Sequence, residues 1–137
     1  MGKRGARHWL GVVVCLSVLD GVTRLPAAAQ GADELAALNA QVEKFYSAGK
    51  YAEAIEIAKR SLALAERQSG PDHPDVGTSL NNLAALYDSQ GRYGEAEPLY
   101  KRSLALYEKA LGPDHPSVGQ SLNNLATLYQ VSPAVQN

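Results

Sequence analysis

The sequence predicts an all-α fold: a short solenoid of helical hairpins, two units plus a lone C-terminal helix, behind an N-terminal signal segment. Three observations predict it. The chain repeats itself every 42 residues, each unit carries two apolar stripes of helical spacing, and the first thirty residues differ in kind from the rest. Residues 70–88 match 112–130 at 15 of 19 positions, and 49–70 match 91–112 at 12 of 22. Such a period decides architecture, because a unit that cannot bury its apolar face alone must stack on its neighbours.

The leader comes first. Lys3, Arg4 and Arg7 precede an 11-residue apolar run, Trp9–Leu19, and Pro26-Ala27-Ala28-Ala29 supplies small residues after it. Basic, apolar and small segments in that order form the layout of a secretory signal peptide. Eleven helical residues rise about 16 Å against a hydrocarbon core of about 30 Å, too short for a stable span. Residues 1–29 are therefore expected to direct export to the periplasm or beyond, with cleavage after Ala29. The alternatives are an uncleaved leader, which would leave a membrane anchor, and an organelle transit peptide. Val14 before Cys15 does not fit a lipidation box. The 137-residue chain carries 13 basic and 14 acidic residues, a net charge of −1. Cleavage would remove Lys3, Arg4, Arg7 and Arg24 against Asp20 alone, leaving about −4, without Cys15 or Trp9. Nucleic acid is a poor partner for such a surface. A thiol enzyme is excluded with the cysteine.

The array is expected over 33–130, as units 33–72, 73–114 and a truncated 115–130, with an irregular tail at 131–137. In the second unit Leu80, Leu83, Ala84 and Tyr87 fall at i, i+3, i+4 and i+7, one helical stripe. Ala96, Leu99, Tyr100, Ser103, Leu104 and Tyr107 make the next. Gly91 between them suits a left-handed helix terminus. In Gly70-Pro71-Asp72-His73-Pro74, Asp72 or His73 can cap the following helix and Pro74 fits its first turn. The first unit departs from the pattern: Val42 and Phe45 stand at the Ala84 and Tyr87 positions, and Ala58 at that of Tyr100. The third unit stops after one helix, where Pro133 breaks the pattern. That helix is expected to leave Leu122, Leu125, Leu128 and Tyr129 partly uncovered.

Leu83-Ala84, Tyr87, Gly91, Tyr93, Ala96 and Tyr100 sit at the mutual spacings of the tetratricopeptide pattern, and the chain resembles that family. The 42-residue period, with its Gly-Pro-Asp-His-Pro and Leu-Asn-Asn-Leu-Ala blocks, is similar to the kinesin-light-chain-like subclass. The resemblance implies a non-catalytic interaction module that binds an extended peptide in a concave groove lined by the first helix of each unit. Carried onto this sequence, the groove positions are Asn39, Asn81 and Asn123, which recur at the repeat offset. An amide both donates and accepts, so an asparagine ladder can hold a peptide backbone without reading side chains. One turn on lie Glu43, Ala85 and Thr127, then Tyr46, Asp88 and Gln130; Thr78 and Gln120 lie one turn before. The neighbouring Asn82 and Asn124 are read as bonding within or between helices, or facing water. Paired basic residues for a terminal carboxylate are missing, and the charged members Glu43 and Asp88 are acidic. A neutral or basic peptide fits better than an acidic one.

Other chemistry finds little support. His73 and His115 sit in proline-bounded links of separate repeats and are read as capping residues; neither a metal site nor a cofactor is expected. Two repeat-equivalent histidines do not make a catalytic triad. Lys59-Arg60 and Lys101-Arg102 read as solvated helix faces. The partner is expected to be a protein or peptide. The alternatives are a structural module that self-associates through its last helix, and a truncated remnant of a longer array. Amino-terminal sequencing of the exported product is expected to begin near Gln30; a start at the original terminus contradicts cleavage.

Overall fold

A computed structural model describes residues 27–132, which form five α-helices: α1 Ala27–Ser47, α2 Tyr51–Ser69, α3 Pro74–Ser89, α4 Tyr93–Leu111 and α5 Pro116–Val131. The signal segment expected at 1–29 lies outside the described residues except for Ala27–Ala29, which are helical, so α1 begins upstream of residue 33. The irregular tail expected at 131–137 lies outside them except for Val131 and Ser132. No described helix is long and apolar enough to cross a membrane.

The helix boundaries follow from short-range chemistry. His73 and His115 are the N-caps of α3 and α5: each Nδ1 accepts a hydrogen bond 3.2 Å long from the backbone N–H two residues on, and a proline follows in the first turn. An imidazole thus takes the place of the usual hydroxyl or carboxylate cap. The α3 helix closes at Gly91, whose φ of 71° is open to glycine at little cost. There the Arg92 N–H reaches back to the Tyr87 carbonyl at 2.8 Å and the Gly91 N–H to that of Asp88 at 2.9 Å. Both bonds satisfy carbonyls that the helix end leaves bare.

The helices stack in chain order around two apolar clusters. One gathers Val42, Ala54, Ile55, Ala58, Leu83, Ala84, Tyr87, Ala96 and Tyr100 with Leu125 and Leu128; the other gathers Leu35, Leu38, Leu64, Ala65, Val76, Leu80, Leu106, Tyr107 and Val118. Within them the two hairpins solve the same packing problem with opposite choices. In the first, large Leu35 and Val42 on α1 accompany small Ala65 and Ala58 on α2. At the equivalent places of the second, small Gly77 and Ala84 on α3 accompany large Tyr107 and Tyr100 on α4. All eight are buried. Two departures of the first unit, Val42 and Ala58, thus fall in one such pair, a larger residue on one helix accompanying a smaller one on the other.

Gly77 is the tightest of these places. A Cβ there would stand 2.7 Å from Tyr107 Cε1. The ring is held in turn, because the Tyr107 hydroxyl lies 2.9 Å from Thr78 Oγ1, and Ser103 Oγ donates to the Gly77 carbonyl at 2.9 Å. Across the outer face, Arg102 pairs with Glu66 at 2.7 Å and Lys109 with Asp72 at 2.8 Å. These exposed pairs join consecutive units but contribute little to stability.

The last helix departs from expectation. Leu125 and Leu128 are 7% and 0% exposed, because their side of α5 lies against α4, and Tyr129 is half-buried with its hydroxyl donating to Glu97 at 2.7 Å. Only Leu122 of the four is open, at 50%, whereas its equivalent Leu80 is fully buried. Gly119 likewise has no described atom within 4 Å of an added Cβ. Gly77→Ala is expected to destabilise the fold by about 1–3 kcal/mol through overpacking. Gly119→Ala should stabilise it by up to about 1 kcal/mol through helix propensity. Urea unfolding of the two variants reads the difference.

Candidate functional site

Because α2 packs against both α1 and α3, the sides of α1 and α3 that it leaves uncovered face each other across a cleft of about 290 Å³. Buried Val42 and Leu86 form its floor, half-buried Asn82 and Ala85 its α3 wall, and Glu43, Tyr46 and Ser47 its α1 side. No basic side chain lines it. Tyr46 is 44% exposed, yet fixed: its ring meets Tyr51 edge-on with centroids 5.6 Å apart, and its hydroxyl lies 3.3 Å from Ser89 Oγ. An aromatic wall over an aliphatic floor suits an apolar side chain, and a half-buried amide beside it suits a peptide backbone.

The groove positions read from the sequence divide between two environments. Glu43, Tyr46 and Ala85 line the cleft. Asn39, Asn81, Asn123, Thr78, Gln120, Thr127 and Asp88 are not among its lining residues. Asn39 is half-buried, with its Oδ1 accepting from Ser61 Oγ at 2.7 Å. Asn81 Oδ1 accepts from Asn124 Nδ2 at 3.0 Å, a bond between α3 and α5. Thr78 contacts Tyr107, and Thr127 donates to the Asn123 carbonyl of its own helix at 3.0 Å. Asn123 and Gln120 are exposed. Of the environments open to Asn124, within or between helices or facing water, it takes an interhelical bond, while Asn82 stands in the cleft wall. Its signal was present as the recurrence of Asn124 at the repeat offset, but adjacent asparagines on a helix differ by about 100° in direction, and the period cannot say which one faces out.

Asp88 is half-buried one turn beyond Ala85. Burial holds its carboxyl above the usual range, and burial together with the Asp88 charge pushes the Tyr100 phenol up. In the turn between α3 and α4, Arg92 stacks on the Tyr87 ring at 4.5 Å and pairs with Glu95. Its charge is thereby committed to the inter-helix turn. Among the described residues no group of three or more His, Cys, Asp or Glu side chains is placed to hold a metal ion.

Stacked hairpins with a preformed cleft of amide, aromatic and aliphatic groups define a helical-repeat scaffold. The tetratricopeptide repeat model matches residues 33–109 and 89–130, and the chain belongs to that family. Among solved structures it is similar to a kinesin light chain candidate from Podosopora anserina with nearly identical TPR-like repeats. The two share 28% identity at a TM-score of 0.67, over 75% of this chain and 49% of that one. A single-substitution variant of that same protein gives 27% identity, the same TM-score and the same coverage. BtubC (BKLC) from P. vanneervenii shares the fold at 22% identity and a TM-score of 0.66, over 71% of this chain and 38% of that one. The chain therefore spans less than half the length of these structures. No curated protein sequence matches it. With the 42-residue period, these neighbours place its repeats in the kinesin-light-chain-like subclass. Repeats of this family generally mediate protein–protein interaction and are typically non-catalytic.

The Asp88 environment has a consequence for stability. Its folded-state pKa is raised, so the folded chain binds the proton more readily than the unfolded one and stability falls as pH rises through that range. Asp88 also sits at the negative end of α3, which disfavours its charge further. Asp88→Asn is expected to raise the urea midpoint at pH 7, with the gain disappearing below the usual aspartate range.

Proposed function

We propose that the chain is a protein-interaction module whose α1–α3 cleft receives an extended peptide segment of neutral or basic character. The observation that carries this reading is the cleft itself, with an apolar floor, a fixed aromatic wall and an acidic edge. A bound segment sets an aliphatic or aromatic side chain over Val42 and Leu86. The Asn82 amide bonds its backbone, and Glu43 attracts a lysine or arginine at the adjacent position. Because Tyr46 is already ordered, the entropic cost of binding falls mainly on the peptide. The N-terminal sequence supports a partner met after export.

Fluorescence anisotropy over peptides that share one apolar anchor and differ only in flanking charge tests the reading. Ala85→Trp, which fills the cleft from its α3 wall, should weaken the best ligand at least tenfold while far-UV circular dichroism is retained. Glu43→Lys should shift preference from basic to acidic flanks. Asn81→Ala with Asn123→Ala should have a smaller effect, since the Asn81 oxygen is engaged with Asn124. Peptide binding indifferent to both Ala85→Trp and Glu43→Lys overturns the assignment.

A further inference from the structure

We propose that Asp88 is a second subsite of the groove, which receives a lysine or arginine about three residues from the apolar anchor of the bound peptide. The proposal rests on the α1–α3 cleft being the peptide site and assigns the position next to it. Asp88 lies on the side of α3 that faces α5, away from that cleft. Asn81 marks this side, because its Oδ1 accepts from Asn124 of α5. Asp88 follows seven residues on and projects within about 20° of the same direction. At the repeat offset, Asp88 takes the place that Tyr46 has beside the cleft. Tyr46 has the Ser89 hydroxyl for a partner, 3.3 Å away. The residue at the Ser89 position on α5 is Val131, which has no polar side-chain atom to offer.

The carboxylate is therefore half-buried with no described cation or donor to balance it. Burial raises its pKa, and no hydrogen bond or positive charge opposes the rise. The groups around it supply neither. From α4 comes the buried Tyr100 phenol, which the Asp88 charge pushes up further. From α1 comes Tyr46, engaged with Ser89 and Tyr51. The α3–α4 turn holds Arg92, already paired with Glu95. The one titratable residue of α5, Tyr129, donates to Glu97. A peptide cation completes the site. Partial burial strengthens the attraction relative to a pair in open water, and an ammonium or guanidinium brings the hydrogen bonds that the chain does not. Glu43 and Asp88 thus act differently: exposed Glu43 attracts positive charge from solution, and Asp88 fixes its register. Packed helices lie about 8–10 Å apart and an extended chain rises about 3.3 Å per residue, so one step of the groove spans about three residues.

The probes are labelled alanine-based peptides titrated into the full chain. Each has one leucine anchor and one lysine, placed one to five residues from it on either side. Affinity should peak with the lysine about three residues from the anchor, about tenfold above glutamine at the same position. Asp88→Asn should remove that peak and leave the glutamine peptide unaffected, in a chain that has gained stability. Glu43→Gln should weaken all the lysine peptides and keep the peak. With the wild-type chain the lysine advantage should grow as pH rises through the range where Asp88 loses its proton, because the bound cation favours the charged form. In Asp88→Asn it should stay flat. A lysine peak that survives Asp88→Asn overturns the proposal, as does affinity indifferent to lysine position. Both results leave the cleft reading standing when Ala85→Trp still weakens the glutamine peptide. Binding that ignores Ala85→Trp, or no binding at all, defeats the cleft reading and this subsite with it.

Discussion

The stack rests on a constraint of volume between the two helices of each hairpin. Where the first helix is large the second is small, and the choice reverses from one unit to the next: Leu35 and Val42 with Ala65 and Ala58, then Gly77 and Ala84 with Tyr107 and Tyr100. Close packing makes such pairs interdependent, since protein interiors leave no room for two large residues and gain nothing from two small ones. The Ser103 bond to the Gly77 carbonyl and the Thr78–Tyr107 contact fix the register once the volumes agree. Everything outside that seam is positioned by it.

The cleft is one such consequence. Packing against α2 turns one side of α1 and one side of α3 inward, and the residues left facing each other need only be ordered by their backbones. Tyr46 is the exception, held by Tyr51 and Ser89 from the end of α1. Sequence chemistry then gives the cleft its character: an aliphatic floor, an amide and one exposed carboxylate. Asp88 lies close by but half-buried, so its charge is costly where that of Glu43 is not. The acidic character of the cleft is thus carried by Glu43, with Asp88 contributing less.

Much of the architecture was legible in the residues. The period located the hairpins, and the glycines and prolines located the helix ends. The histidines had the placement of caps and proved to be caps. What the sequence could not show was direction. Asn81 and Asn82 recur together, so periodicity treats them alike, yet one bonds across to α5 and the other enters the cleft. Leu125 and Leu128 looked uncovered because the repeat pattern lapses after α5. They are buried because each first helix also packs on the second helix of the unit before it. The compensated pairs were visible as departures of the first unit, but their meaning required knowing which departures face each other.

A double-mutant cycle at Gly77 and Tyr107 tests the volume constraint most directly. Gly77→Leu together with Tyr107→Ala gives the second hairpin the residue sizes of the first. Urea unfolding of the two single variants and the double variant should show the double far more stable than the sum of the single losses allows. The expected coupling energy is about 2 kcal/mol, within the range for residues in contact. Strictly additive losses would contradict the constraint.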